Sequence, residues 1–142
     1  MGNGLLLLNS AVLNDLEAIR SFTNDQIKSL DISELDTYDI LLATTEAVTN
    51  ILLHGYQNQP GWIEIEIRTQ DNLVTILIRD KAPSFDPTQV PPPALEIPLE
   101  ERPLGRMGVY LIKQCMDKML HRDLPTGGNE LTLVKKYVSN YV

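Results

Sequence analysis

The chain has 142 residues, 43 % hydrophobic and 22 % charged, with a formal net charge of −7, which is the make-up of one folded domain and not of a disordered or membrane-spanning segment. The acidic balance excludes general affinity for nucleic acid, which needs clustered Lys and Arg, and suits a basic protein partner. With Cys115 as the single cysteine, a disulfide framework and a thiolate metal site are both excluded.

Met1-Gly2-Asn3-Gly4 lacks the basic start of a secretory signal, and no apolar run approaches the ~20 residues needed to span a bilayer. The expectation is a soluble, cytoplasmic chain. Leu5 to Leu8 reads as a short buried strand ended by Asn9-Ser10. Asn14 and Glu17 have the spacing of a capping box, and Leu13, Leu16, Ile19 and Phe22 or Ile27 supply a helical stripe to about Leu30. Asp31-Ile32-Ser33 breaks that helix. Ser33, with Asp36, then caps a second one that runs to His54 and stops at Gly55.

At 3.6 residues per turn the second helix carries Glu46, Asn50 and His54 on one face, at i, i+4 and i+8. Leu41, Val48, Ile51 and Leu52 fall mostly on the other side. A carboxylate and a carboxamide one turn apart, about 6 Å between Cβ atoms, can share one ligand or one metal-bound water. The same three residues also fit a solvated polar stripe on an amphipathic helix.

Tyr56 to Gly61 is a turn by composition. Trp62 to Arg68 alternates, with Ile63, Ile65 and Ile67 on one face. Gln70-Asp71-Asn72 connects to a return strand, Leu73 to Arg79, whose apolar face of Val74, Ile76 and Ile78 is continued at period two by Asp80. A carboxylate at the end of a buried aliphatic row is costly without donors to meet it. Between Ala82 and Leu104 stand seven prolines (Pro83, Pro87, Pro91, Pro92, Pro93, Pro98 and Pro103) of the nine in the chain. An irregular segment of that length inside a compact domain reads as a lid.

Gly105-Arg106-Met107-Gly108 opens a third helix, with a stripe of Val109, Leu111, Ile112, Cys115, Met116 and Met119. Cys115 is core filler there, and His121 near the helix end favours its negative pole. Glycines before a helix start let backbone N–H groups approach an anion. Gly127-Gly128-Asn129 turns the chain into a last strand, Leu131 to Val138. The order strand, helix, helix, hairpin, lid, helix, strand predicts an α+β fold: a two-layer sandwich with a mixed, mostly antiparallel sheet and helices on one face. The Glu46/Asn50 face, Asp80 and the glycine-bounded helix start then surround one hollow. A hydrogen-bond acceptor, an acid–amide pair and backbone donors together describe a nucleotide site.

Glu46-Ala47-Val48-Thr49-Asn50 through His54-Gly55-Tyr56 resembles the N box of the GHKL (Bergerat-fold) ATPases, in particular their stand-alone anti-sigma-factor serine/threonine kinase branch. Ile78-Arg79-Asp80 with Phe85-Asp86-Pro87 resembles the G1 box, and Leu104-Gly105-Arg106-Met107-Gly108-Val109-Tyr110-Leu111-Ile112 the G2 box. Gly128-Asn129 followed by Leu131 to Lys135 is similar to the closing strand. The resemblance covers nearly the whole chain in order. It implies a single ATP-binding domain over residues 1–142, with 82–104 as the ATP lid.

By that resemblance Glu46 is the general base, and Asn50 holds Mg²⁺ bridging the ATP phosphates. Asp80 accepts the adenine amino group, beside Ala82 and Phe85. Leu104, Gly105, Arg106, Met107 and Gly108 cradle the phosphates, and His54 is a helix-end or lid contact. The implied activity is an ATP- and Mg²⁺-dependent kinase of a serine or threonine on a small antagonist protein. The same chain would also bind a client such as a sigma factor, as a homodimer, without touching nucleic acid or membrane. Two positions depart from the pattern: Ala82 and Arg106 stand where glycine is usual. Ala82 and the unusual lid motivate an alternative, a nucleotide-binding interaction regulator that transfers little phosphate.

Overall fold

A computed structural model describes residues 2–92 and 106–138, without the Arg106 side chain. Five strands form one sheet in the order β1-β2-β3-β5-β4, with β1 at Gly2–Ala11, β2 at Gly61–Gln70, β3 at Leu73–Asp80, β4 at Lys118–Asp123 and β5 at Asn129–Lys136. Every pairing is antiparallel, so the sheet has no parallel step among the described residues. The helices α1 (Leu16–Ile27), α2 (Glu34–Asn50) and α3 (Arg106–Cys115) supply the second layer.

Period-two alternation and strand register fix what faces the helices. One inner row runs Ile67, Ile76, Leu133 and Met119 across four strands, the next Leu6, Ile65, Ile78, Leu131 and His121. Against these rows pack Ile19 and Ile27 of α1, Ile40, Ala43 and Val48 of α2, and Ile112 and Cys115 of α3, in one core. The isoleucines of β2 and β3 are at most 1 % exposed, each stabilising the fold by about 1.5–3 kcal/mol through removal from water. At one end of this face the aliphatic pattern stops, and the row becomes Ile63, Asp80 and Asn129. The β2–β3 connection is a two-residue turn with left-handed Asp71 (φ 53°) and Asn72 (φ 64°), the geometry that matches strand twist in tight hairpins.

The sheet's other face is laced by charge. Arg79 reaches Glu64 and Glu130 at 2.7 Å each and Glu66 at 3.0 Å, while Arg122 takes the other oxygen of Glu130. These ion pairs follow from the register, which sets Glu64, Arg79, Glu130 and Arg122 side by side.

Several expectations need correction. The first strand continues through Asn9 and Ser10 to Ala11, with a register shift that absorbs them. Asn14 and Glu17 do not cap α1. Instead Asp15 Oδ2 accepts from the Val12 N–H at 2.8 Å in a preceding 3₁₀ turn. Ser33 does cap α2, accepting from the Asp36 N–H at 3.1 Å. That helix is α-helical only to Asn50, and Ile51–Gly55 is a π turn closed by Tyr56 N–H donating to Ile51 O at 2.8 Å. The third helix ends at Cys115, and Met119 and His121 lie on strand β4, which makes five strands where four were expected.

Candidate functional site

Helix α2 is rich in β-branched residues, yet its threonines are satisfied in place. Thr44, Thr45 and Thr49 each donate to the carbonyl four residues back, at 2.8, 2.9 and 2.7 Å. That keeps Glu46 and Asn50 one turn apart on the face towards α3. Opposite them is Gly108 in the first turn of α3. A methyl built on Gly108 would lie 3.0 Å from Glu46 Oε2, 3.2 Å from Asn50 Nδ2 and 3.3 Å from Asn50 Oδ1. The bare backbone of glycine lets the acid and the amide converge there, where a methyl would push them back by a few tenths of an ångström. The far end of α3 is anchored by Lys135, whose ammonium donates to Cys115 O at 2.6 Å and pairs with Asp39 of α2 at 3.4 Å.

A cavity of about 440 Å³ opens beside this point, lined by Asn50, His54, Asp80, Ala82, Phe85 and His121 among others, a size suited to a small-molecule ligand. Its polar end is built around Asp80, 3 % exposed. Oδ1 of Asp80 accepts from the Ala82 N–H and from Asn129 Nδ2, both at 2.9 Å. Burial pushes the Asp80 carboxyl above its ordinary value, and these two donors, with His121 nearby, pull it back. Asn129 stands directly across the ladder from Asp80. Gly128, at φ +101°, allows the approach, since a methyl there would collide with the Asp80 carbonyl.

One carboxamide therefore joins the sheet to the segment that follows β3. Besides Asp80, Asn129 Nδ2 donates to Pro83 O at 3.1 Å and Ala82 O at 3.3 Å, and Oδ1 accepts from the Phe85 N–H at 3.0 Å. Asp86 caps the following 3₁₀ turn, Pro87–Gln89, through the Thr88 N–H at 2.9 Å. Hydrogen bonding from Thr88 holds the Asp86 carboxyl below its ordinary value. On the other flank Tyr56 Oη donates to Trp62 O at 2.6 Å and accepts from the Lys81 N–H at 2.8 Å, fastening the residue next to Asp80.

Asn50, His54, Asp80, Ala82 and Phe85 thus share one cavity, and Glu46 meets Asn50 and Gly108 at its edge. Met107 is half-buried at the start of α3. Leu104, Gly105 and the Arg106 side chain lie outside the described residues, as does the part of the expected lid beyond residue 92. The methyl of Ala82 packs on Gly55, where an added methyl would come within 2.9 Å of it. Among the cavity residues absent from the sequence reading of the site are His121, expected at a helix terminus, and Asn129, read only as part of the turn into the last strand.

An antiparallel sheet under three helices, with acid, amide and glycine converging at the mouth of a cavity that ends on a buried aspartate, is the architecture of a Bergerat-type nucleotide-binding domain. The sequence matches the family described as Histidine kinase-like ATPase domain over residues 10–135, and the chain belongs to that family. Within it the chain is similar to the serine-protein kinase RsbW of Bacillus cereus strain AH820 and of Bacillus anthracis strain CDC 684, at 32 % identity over 109 residues in each case. Those alignments cover 72 % of this chain, which spans 65 % of the length of the relatives. Among solved structures, the RsbU and RsbW domains of Rv1364c from Mycobacterium tuberculosis superpose over 98 % of this chain and 34 % of theirs, with TM-score 0.65 at 17 % identity. That likeness is one of fold.

Proposed function

We propose that this chain is a cytoplasmic serine/threonine protein kinase and anti-sigma-type regulator. It binds Mg·ATP in the α2/α3 cavity, phosphorylates a hydroxyl of a small antagonist protein, and holds a client such as a sigma factor. The observation that carries this is the meeting of Glu46 and Asn50 on the bare backbone of Gly108, next to a cavity ending on Asp80. Carboxylate and carboxamide oxygens are the hard donors that Mg²⁺ takes, and a glycine in the first turn of α3 leaves room for a phosphate at a helix N-terminus.

In this reading Asn50 holds the metal, whose chemistry is to neutralise charge building on the phosphates. Glu46 takes the proton of the attacking hydroxyl, a task of position and basicity. Asp80 accepts from the exocyclic amine of the base, while Ala82 and Phe85 border it. The serine-protein kinase name of the relatives supports the reaction class. Homodimerisation is the expected assembly, and β1 offers an edge: its ten residues, Gly2–Ala11, contain no charged side chain and no proline to discourage strand pairing.

The packing of the Ala82 methyl on Gly55 favours a second reading. It narrows the space between the end of α2 and the end of β3, as a regulator that binds nucleotide and transfers little phosphate would tolerate. ATP binding measured with and without Mg²⁺, followed by phosphate transfer to a cognate antagonist, separates the two. Asn50→Ala should lose the Mg²⁺ dependence of binding, and Glu46→Ala should bind ATP yet transfer nothing. Wild-type binding without transfer would support the second reading; no binding at millimolar ATP would sink both.

A further inference from the structure

We propose that Asn129, held in one orientation by His121, is the positioning residue that makes Asp80 a reader of 6-aminopurines and not of 6-oxopurines. The inference rests on the nucleotide reading above and deepens it. The nitrogen of the Asn129 amide is identified by its surroundings: Asp80 Oδ1, Ala82 O and Pro83 O all lie on that side, at 2.9, 3.3 and 3.1 Å, and all three only accept. The other side of the amide is then the oxygen, and it faces the Phe85 N–H at 3.0 Å and His121 Nε2 at 2.7 Å. His121 must accordingly carry its proton on Nε2 and donate. Reversing the amide would set oxygen against three acceptors and NH₂ against the Phe85 N–H, so the orientation is over-determined before the His121 tautomer is considered.

The consequence falls on Asp80. Its Oδ1 is fixed by two donors, from Asn129 and Ala82. The carboxylate is thereby locked in plane, and its charged, acceptor-only form gains two donors against the burial that raises the carboxyl above its ordinary value. A charged acceptor in a fixed plane suits the amino group at position 6 of adenine and repels the oxygen that hypoxanthine carries there. A carboxyl free to swing or to take up a proton would accept either base. The groups able to influence that charge are His121 on β4, Tyr56 following α2, His54 at the end of α2 and Asp86 in the segment that follows β3.

The test is titration of the full chain with Mg·ATP and with Mg·ITP, from pH 5 to pH 8. The wild type should prefer ATP by about tenfold or more, the scale of one unmade buried hydrogen bond, with the preference fading at the acid end as Asp80 protonates. Asn129→Leu should bring the two affinities within about threefold and move the fading to higher pH, since it strips a donor from the carboxylate. Asn129→Thr, with a hydroxyl able to donate, should restore part of the preference. His121→Phe, filling the same space without the Nε2 donor, should fall between wild type and Asn129→Leu, and it decides the matter should Asn129→Leu not fold. A His121→Phe ratio equal to wild type, or a folded Asn129→Leu that keeps the wild-type ratio and pH profile, would overturn the proposal and leave the nucleotide site standing. A wild type that binds neither nucleotide would remove the site itself.

Discussion

Replacing Gly108 with alanine should separate the stability of this protein from its chemistry. The new methyl would sit 3.0 Å from Glu46 Oε2 and 3.2–3.3 Å from the Asn50 carboxamide, short of the ~3.5 Å of an unstrained contact. The intruded atoms are the ends of two half-buried side chains, so the fold can yield by rotating them at little cost. Against that stands the helix preference of alanine over glycine, about 0.5–1 kcal/mol. The balance for the unliganded protein is between zero and a gain of about 1 kcal/mol, which for a chain of this size raises the melting temperature by about 2–4 °C. Function should move the other way. The displaced atoms are those proposed to hold the metal and take the proton, and a misplacement approaching 1 Å can cost about a hundredfold in rate. A shift of a few tenths should cost about tenfold in Mg·ATP affinity or transfer, read by nucleotide titration beside thermal unfolding. Two results would refute the reasoning: a stability loss above about 2 kcal/mol, meaning the acid–amide pair is a rigid wedge of the core, or a stabilised variant in which nucleotide binding and transfer are both unchanged.

The outer charge lattice and the tyrosine clamp supply further tests. Arg79→Leu leaves Glu64, Glu66 and Glu130 without their shared cation and should cost about 1–2 kcal/mol at pH 7 by urea denaturation, a figure reduced from that of fully buried pairs by solvent screening. Bonding to Arg68 and Arg79 holds Glu66, and bonding to Arg122 and Arg79 holds Glu130, below the ordinary glutamate value of 4.5. Their contribution is therefore present above that value and lost as the pH falls through the lower folded values, so the variant should lose less stability than wild type on acidification. Tyr56→Phe keeps the ring but removes the bonds to Trp62 and Lys81, at a cost of about 1–3 kcal/mol. Burial raises the phenol above 10.0, so the stability it contributes is complete below that pH and declines above it. The phenylalanine variant should lack that alkaline step.

What could be read ahead of the structure was whatever followed from local periodicity. Glu46 and Asn50 were legible because four residues make a helical turn, and Asp80 because period two carried it onto the end of an aliphatic row. Even the need for donors at Asp80 followed, since a buried carboxylate demands them; which residue supplies them did not. Asn129 meets Asp80 only through the β3–β5 register, across 49 positions of chain, and no local pattern encodes that. Strand β4 was hidden by its own composition. Lys118-Met119-Leu120-His121-Arg122-Asp123 has no β-branched residue, and Met119 falls at helical spacing from Cys115 and Met116, so the stripe of α3 ran on past its end. With β4 goes His121, which left the cavity wall for an imagined helix terminus. The Asn14/Glu17 pair had the right spacing for a cap, but a 3₁₀ turn at Leu13–Asp15 took the start of the helix instead. The outer face shows the converse: Glu64 and Glu66 were visibly on one side of their strand, while their common partner Arg79 emerged only with the pairing of the hairpin.

The π turn at Ile51–Gly55 gives α2 an unequal division of labour. Upstream of it the backbone repeats with the strict period that the acid and amide need. Downstream the wider loop of hydrogen bonding takes up an extra residue, so His54 and the Tyr56 clamp are phased independently of Glu46 and Asn50. Such a turn works like a slip joint in a shaft. A residue inserted or removed in this stretch would be absorbed there, leaving the spacing of the two residues proposed to hold the metal and take the proton intact.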